Sequence, residues 1–116
     1  MEPRAAIDAL SAIAHTGRLA IFRLLVQAGP DGLAAGDVAR AVGSLANTLS
    51  ANLNVLAGAG LVRSRRDGRS IIYRADYDRM SELLAFLMED CCAGKPEICG
   101  PLATVAGTAC MPGARC

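Results

Sequence analysis

The chain has 116 residues, of which 53% are hydrophobic and 20% charged, and its formal net charge is +1. This length suits one domain, and the chain has no run of about 18 apolar residues, the length that a membrane-spanning helix needs. Aromatic residues make up only 3% and Trp is absent, which argues against a stacking platform for single-stranded nucleic acid. The first residues are charged and open no apolar secretory signal, so we expect a cytoplasmic protein without a membrane partner.

Two helices are predicted in the first thirty residues. Apolar side chains recur at helical spacing over residues 4–14, and the same spacing resumes after Thr16, which can cap a second helix. Gly29 and Pro30 end that helix, as a glycine just past a helix end followed by proline does. His15 stands just before it, and we interpret this histidine as a cap or packing residue rather than a metal ligand. The apolar positions of the first helix are Ile7, Leu10, Ile13 and Ala14.

The next segment predicts a helix-turn-helix. Residues 35–42 form a short helix that ends at Gly43, and a further helix begins near Ala46. Leucines at i, i+4 and i+7 predict the buried stripe of this fourth helix. Two helices joined by a glycine turn, the second with outward hydrogen-bonding side chains, are typical of DNA-reading motifs. The predicted reading residues are Asn47, Thr48, Ser50, Asn52 and Asn54.

A hairpin rich in arginine is predicted after this motif. Asp67 and Gly68 lie between two strand-like runs and predict a tight turn. Residues 61–75 hold five arginines against one acid. Such a hairpin can be a solvated edge that resists aggregation. Directly after a helix-turn-helix we interpret it instead as a wing that contacts DNA phosphates, through Arg65, Arg66 and Arg69.

A last helix is predicted after the hairpin, with Asp76 or Asp78 as its cap. Its apolar residues keep the helical period, and a strongly apolar terminal helix on so small a domain predicts a dimer interface. Glycine and proline are frequent farther on, so we expect a domain over residues 1–92 and a loop and flexible tail over residues 93–116.

Together these segments resemble the ArsR/SmtB family of winged helix-turn-helix metalloregulators over about residues 5–90. The resemblance rests on the stretch SLANTLSANLNVLAGAGLV and on the hairpin RSRRDGRSIIYR. It implies a mainly helical fold with a small β-hairpin, in the order ααααββα, and a homodimer formed through the terminal helices. It also implies a repressor that leaves double-stranded operator DNA when an inducer binds.

The chain departs from that family at two places. Ala51, Asn52 and Asn54 stand where relatives often carry Arg, His and Lys, so phosphate contacts would depend more on Arg40 and the hairpin. The cysteine pair that is widespread on the third helix of relatives is absent from GDVARAV.

All five cysteines lie in the last quarter of the chain, which indicates metal or redox chemistry in a reducing compartment. Adjacent helical side chains diverge by about 100°, so Cys91 and Cys92 can share one ion only if the helix unwinds after them. Together with Cys99 they resemble the Cys-Cys-loop-Cys site of arsenic-responsive repressors. Three soft thiolates without a fourth ligand suit As(III) or Sb(III), whereas zinc requires a fourth ligand. Cys110 and Cys116 have no predicted role.

The predicted function is therefore repression of an arsenic-resistance operon, relieved when As(III) or Sb(III) binds Cys91, Cys92 and Cys99. Three alternatives stay open on the same fold. The first is a repressor that responds to zinc, cadmium, lead or methylarsenite. The second is a thiol redox switch, and the third is a structural metal clip that holds the dimer together. No constellation for enzyme chemistry or an organic cofactor is evident in the sequence.

Overall fold

The computed structural model describes residues 1–89, which form five helices and a small sheet of three strands. The elements are α1 (Pro3–Ile13), α2 (Thr16–Ala28), β1 (Leu33–Ala34), α3 (Ala35–Val42), α4 (Ala46–Gly58), β2 (Val62–Asp67), β3 (Ser70–Ala75) and α5 (Tyr77–Leu87). The predicted winged helix-turn-helix is confirmed, with β1 as an addition. The proposed boundary after residue 92, and the tail that follows it, lie outside the described residues.

The added strand completes an antiparallel sheet in the order β1-β3-β2. β1 has only two residues, and Leu33 pairs with Tyr73. Gly32 makes this pairing possible, because its φ is 74° and a Cβ there would lie 2.3 Å from the carbonyl oxygen of Tyr73. A side chain at this position would therefore push β1 away from β3.

The core lies between the helices and the base of the sheet, and leucine and alanine are its most frequent residues. Leu49, Leu53 and Leu56 of α4 are all buried, which confirms the predicted stripe. They pack in one cluster with Ile21 and Leu25 of α2. Because this cluster is continuous, packing on one side determines the position of α4. The other side of the helix stays exposed.

Alanine, rather than the larger apolar residues, forms the buried face of α1. Ala6, Ala9 and Ala12 are buried, whereas Ile7 and Leu10 are 60% and 41% exposed. No single helix among residues 1–89 is long and apolar enough to cross a bilayer, and α1 with α2 would qualify only as a pair bent by 100°.

The observed start of α2 corrects one detail of the sequence prediction. Thr16 is the first residue of α2 and not its cap, because His15 occupies the N-cap position. The His15 Nδ1 atom accepts hydrogen bonds from the backbone N–H groups of Gly17 and Arg18, at 3.1 and 3.2 Å. The interpretation of His15 as a cap is thus confirmed. Asp76 in turn caps α5.

Candidate nucleic-acid interface

A glycine turn sets α3 and α4 at the angle of a helix-turn-helix. Gly43 ends α3 in the left-handed conformation with φ 67°, and its N–H donates to the carbonyl of Ala39. The N–H of Ser44 donates to the same carbonyl at 3.0 Å. These bonds close the end of α3 and direct the chain into α4.

The outer surface of α4 carries most of the predicted reading residues. Asn47, Thr48, Ser50 and Asn54 are exposed, so their predicted outward orientation is confirmed. The Oδ1 atom of Asn47 accepts a hydrogen bond from the N–H of Thr48 at 3.0 Å and so satisfies one amide of the first turn. Amide and hydroxyl side chains of this kind can donate to and accept from base edges.

Asn52 differs from the other four residues. It is half-buried, and a Cβ placed on Gly17 would lie 3.2 Å from its Nδ2 atom. The Asn52 side chain therefore packs beside the start of α2, because its position on α4 is turned toward that helix. Its expected fully outward orientation is wrong, and spacing alone could not reveal this contact.

The hairpin turn lies one residue later than the sequence predicts. Asp67 pairs with Ser70 at the end of the ladder, so the two loop residues are Gly68 and Arg69, and not Asp67 with Gly68. Gly68 has φ 62°, a conformation that glycine adopts without strain. The consequence is that Arg69 stands at the very tip of the wing.

The arginines of the wing, which is the hairpin of β2 and β3, lie on both faces of the hairpin. Side chains alternate along a strand, so Arg66, opposite Ile71, shares a face with the buried base of the hairpin, whereas Arg63 and Arg65 lie on the other face. The Nη2 atom of Arg65 donates to the carbonyl of Asp31 at 2.9 Å. Arg66 and Arg69 are exposed and make no hydrogen bond or ion pair within residues 1–89. The tip arginines are therefore the ones positioned to meet a phosphate.

The base of the wing is joined to α5 by a half-buried ion pair. The Nε atom of Arg63 donates to Asp76 Oδ2 at 2.7 Å, while Asp76 Oδ1 accepts from the N–H of Arg79 at 3.0 Å. Burial would raise the pKa of Asp76, but the Arg79 amide and the Arg63 guanidinium outweigh it, and the pKa lies below its ordinary value. Sequence reasoning identified Asp76 as a cap but missed its partner in β2.

Arg40 lies in the last turn of α3, beside the turn into α4. It forms an ion pair with Asp37 one helical turn earlier, and the two side chains are 74% and 54% exposed. Such exposed pairs contribute little to stability, so a phosphate could take the place of Asp37 at small cost.

The predicted metal ligands Cys91, Cys92 and Cys99 lie outside the described residues. Within residues 1–89, no group of three or more His, Cys, Asp or Glu side chains could hold a metal ion.

One exposed residue of this surface was missed by the sequence analysis. Leu45 is the N-cap residue of α4, makes no side-chain capping bond, and is 75% exposed. Its only sequence signal is an apolar residue at the position before the helix, where a polar cap is usual.

Comparisons with known proteins agree with this geometry. Residues 13–65 match a family model described as a helix-turn-helix domain. The chain is 31% identical over 83 residues to the HTH-type transcriptional regulator YgaV of Escherichia coli. This match covers 72% of this chain and 82% of YgaV. It is 38% identical over 73 residues to the uncharacterized HTH-type transcriptional regulator Rv0081 of Mycobacterium tuberculosis, across 63% of this chain. That match spans only 62% of the length of Rv0081.

A solved structure extends the likeness to the fold. It is the homodimeric winged helix-turn-helix DNA-binding domain of a possible ArsR-family transcriptional regulator from Mycobacterium bovis. The two chains are 32% identical and superpose with a TM-score of 0.61, over 75% of this chain and 81% of the other.

Proposed function

This chain belongs to the ArsR family of winged helix-turn-helix transcriptional regulators, and on that basis we propose that it is a homodimeric DNA-binding repressor of the cytoplasm. The observation that carries the proposal is the pairing of two exposed features. Four polar side chains, those of Asn47, Thr48, Ser50 and Asn54, are exposed on α4, and two arginines without partners among residues 1–89 stand at the wing tip.

The proposed binding mode assigns a different task to each feature. α4 enters the major groove, where Asn47, Thr48 and Ser50 near its start reach base edges, as recognition helices do with their N-terminal residues. Arg66 and Arg69 of the wing bind phosphates, which sets affinity and register without reading sequence. Arg40, in the last turn of α3, and Asn54, farther along α4, are both exposed and extend the proposed contact.

Exposed apolar residues on α1 and α5 support the homodimer. Ile7 is 60% exposed, and Leu84 and Leu87 are 51% and 52% exposed. α1 and α5 contact each other, and a second copy packed on these two helices would bury the exposed side chains. Leu84→Glu with Leu87→Glu should therefore give a monomer in sedimentation experiments. Ile71→Glu on the wing is the matched control and should leave a dimer; a dimeric double variant would exclude α5 from the interface.

DNA binding is tested by selecting duplexes from a random-sequence library with the purified protein. The two-fold symmetry of a dimer predicts a pseudo-palindrome with half-sites about one helical turn, roughly 34–36 Å, apart. Selection of no sequence, or of sites without such symmetry, would contradict the proposal.

We further propose that As(III) or Sb(III) releases the protein from DNA by binding Cys91, Cys92 and Cys99. The support is the sequence: three thiolates follow closely after α5, the helix proposed to form the dimer. Closure of a thiolate site there would shift α5 and the spacing of the two reading helices. By linkage, the inducer weakens DNA binding by the same factor as DNA weakens inducer binding, typically about 1–3 kcal/mol.

Counting free thiols before and after arsenite tests this site. We expect the loss of three of the five thiols per chain. Cys99→Ser should lose two, whereas the matched tail variant Cys110→Ser should still lose three. Protection of the thiols by zinc and not by arsenite would replace arsenic with a zinc-type signal, and disulfide formation with release from DNA would favour the redox switch.

A further inference from the structure

Leu45 combines two features that the fold does not explain. It is the most exposed large hydrophobic residue of residues 1–89, at 75%. It also occupies the N-cap of α4, where Ser, Thr, Asn and Asp are strongly preferred and leucine is disfavoured. The starts of α2 and α5 are capped by His15 and Asp76, whose side chains accept backbone hydrogen bonds, whereas α1 and α3 begin, like α4, without a side-chain cap.

Packing supplies no reason for a leucine at this position. A hydrophobic staple would place an apolar residue one position earlier, against the fourth residue of the helix. That earlier position is Ser44, and the fourth residue, Leu49, is already buried in the core. The Leu45 side chain therefore gives the helix neither a cap nor a staple.

The backbone of Leu45 is nevertheless held in place. Its carbonyl accepts two hydrogen bonds, from the Oγ–H of Ser44 at 3.1 Å and from the N–H of Leu49 at 2.9 Å. Its side chain thus projects into solvent from a fixed point. The small exposed residue Ala46 follows, and then come the exposed side chains of Asn47 and Thr48, two of the residues proposed to meet base edges.

We infer that Leu45 reads thymine in the major groove by covering its C5-methyl group, an inference that rests on the proposed DNA-binding function. Thymine is the only base whose major-groove edge carries a methyl group, and apolar side chains recognise it by contact. The first residues of a recognition helix are those that approach base edges. Exposure in the free protein would then be exchanged for burial against thymine in the complex.

The test removes only the methyl group. In a duplex selected by the wild-type protein, each thymine is replaced in turn by deoxyuridine, and affinity is measured by fluorescence anisotropy. At one thymine of each half-site, we expect the wild type to bind about fourfold more weakly, the effect of one buried methyl group. For Leu45→Ala the same replacement should change nothing. Ile71→Ala, which removes an exposed apolar side chain from the wing, is the matched control. This variant should show the same loss of affinity on deoxyuridine replacement as the wild type.

Leu45→Ser separates recognition from folding. A serine at the N-cap should raise the midpoint temperature of thermal unfolding, because it satisfies a first-turn amide, while the preference for thymine over deoxyuridine disappears. A lower midpoint temperature would show that Leu45 serves the fold and would overturn the inference.

The outcomes distinguish this inference from the function on which it rests. If the protein selects no duplex, both fail. If it selects a duplex whose half-sites lack thymine, or if every deoxyuridine replacement affects the wild type and Leu45→Ala equally, the role of Leu45 is refuted while DNA binding stands.

Discussion

α2 and α4 are both 13-residue helices, yet they begin in opposite ways. α2 starts at His15, whose ring nitrogen accepts two backbone hydrogen bonds. α4 starts at Leu45, which accepts none with its side chain and lies exposed. α2 is thus capped by the residue that precedes it, whereas α4 has no such cap, and its exposed first turn is proposed to contact DNA.

The largest expected effect concerns the buried leucines of α4. Leu53 of α4 is 1% exposed, and Leu53→Ala should lower the free energy of unfolding by about 2–5 kcal/mol, since it removes buried methyl groups and leaves a cavity. Urea denaturation of the variant measures it. A loss below about 1 kcal/mol would mean that contacts other than those of the buried leucines hold α4 in place.

The second effect concerns the wing tip. Arg66→Ala combined with Arg69→Ala should remove two phosphate contacts per chain, four per dimer. The slope of log affinity against log salt would then fall by about 3.6. Arg65→Ala should change the slope less and also cost about 0.5–1.5 kcal/mol of stability, because Arg65 donates to the Asp31 carbonyl. Equal slopes for wild type and the double variant would exclude the tip from DNA.

Asp76 gives the third effect, a dependence of stability on pH. Its pKa in the folded protein lies below the ordinary 3.8. Its contribution is therefore complete above that value and is lost as the pH falls through the lower, folded pKa. Asp76→Asn, which can still cap α5, should lose this part of the acid dependence, and Asp76→Ala should cost about 1–3 kcal/mol at neutral pH. Parallel acid profiles for wild type and Asp76→Asn would contradict the ion pair with Arg63.

The smallest effect is at the start of α2. His15→Ala should cost about 1 kcal/mol, the usual value of an N-cap, and should leave affinity for the selected duplex unchanged. His15→Asn, which can supply a capping oxygen, should recover most of the stability. A weakened affinity in His15→Ala would place the start of α2 in the DNA interface. The starts of α2 and α4 would then no longer differ in their contact with DNA.

Much of the fold could be predicted because its signals are local. Helical spacing, Gly43 and the glycine of the hairpin turn, Gly68, lie within a few residues of the elements that they define. β1 escaped prediction because two residues show no periodicity, and its pairing with β3 depends on Gly32, far along the chain from Tyr73. The alanine face of α1 escaped because alanine carries a weak hydrophobic signal.

The candidate site was only partly visible in the sequence. The polar positions on α4 followed from spacing, but the turn of Asn52 toward Gly17 depends on how two helices pack. Arg63 and Asp76 are 13 residues apart and meet only in the folded hairpin. Leu45 escaped prediction because its apolar side chain has none of the hydrogen-bonding groups by which the other reading positions were predicted.

In the proposed binding mode, the start of α4 and the wing tip contact DNA together, while the start of α2 does not. Hydrogen exchange of backbone amides, with and without the selected duplex, tests this directly. We predict slower exchange at residues 46–50 and 66–70, and no change at residues 16–19. Equal slowing at all three segments, or none at the start of α4, would rule out this binding mode.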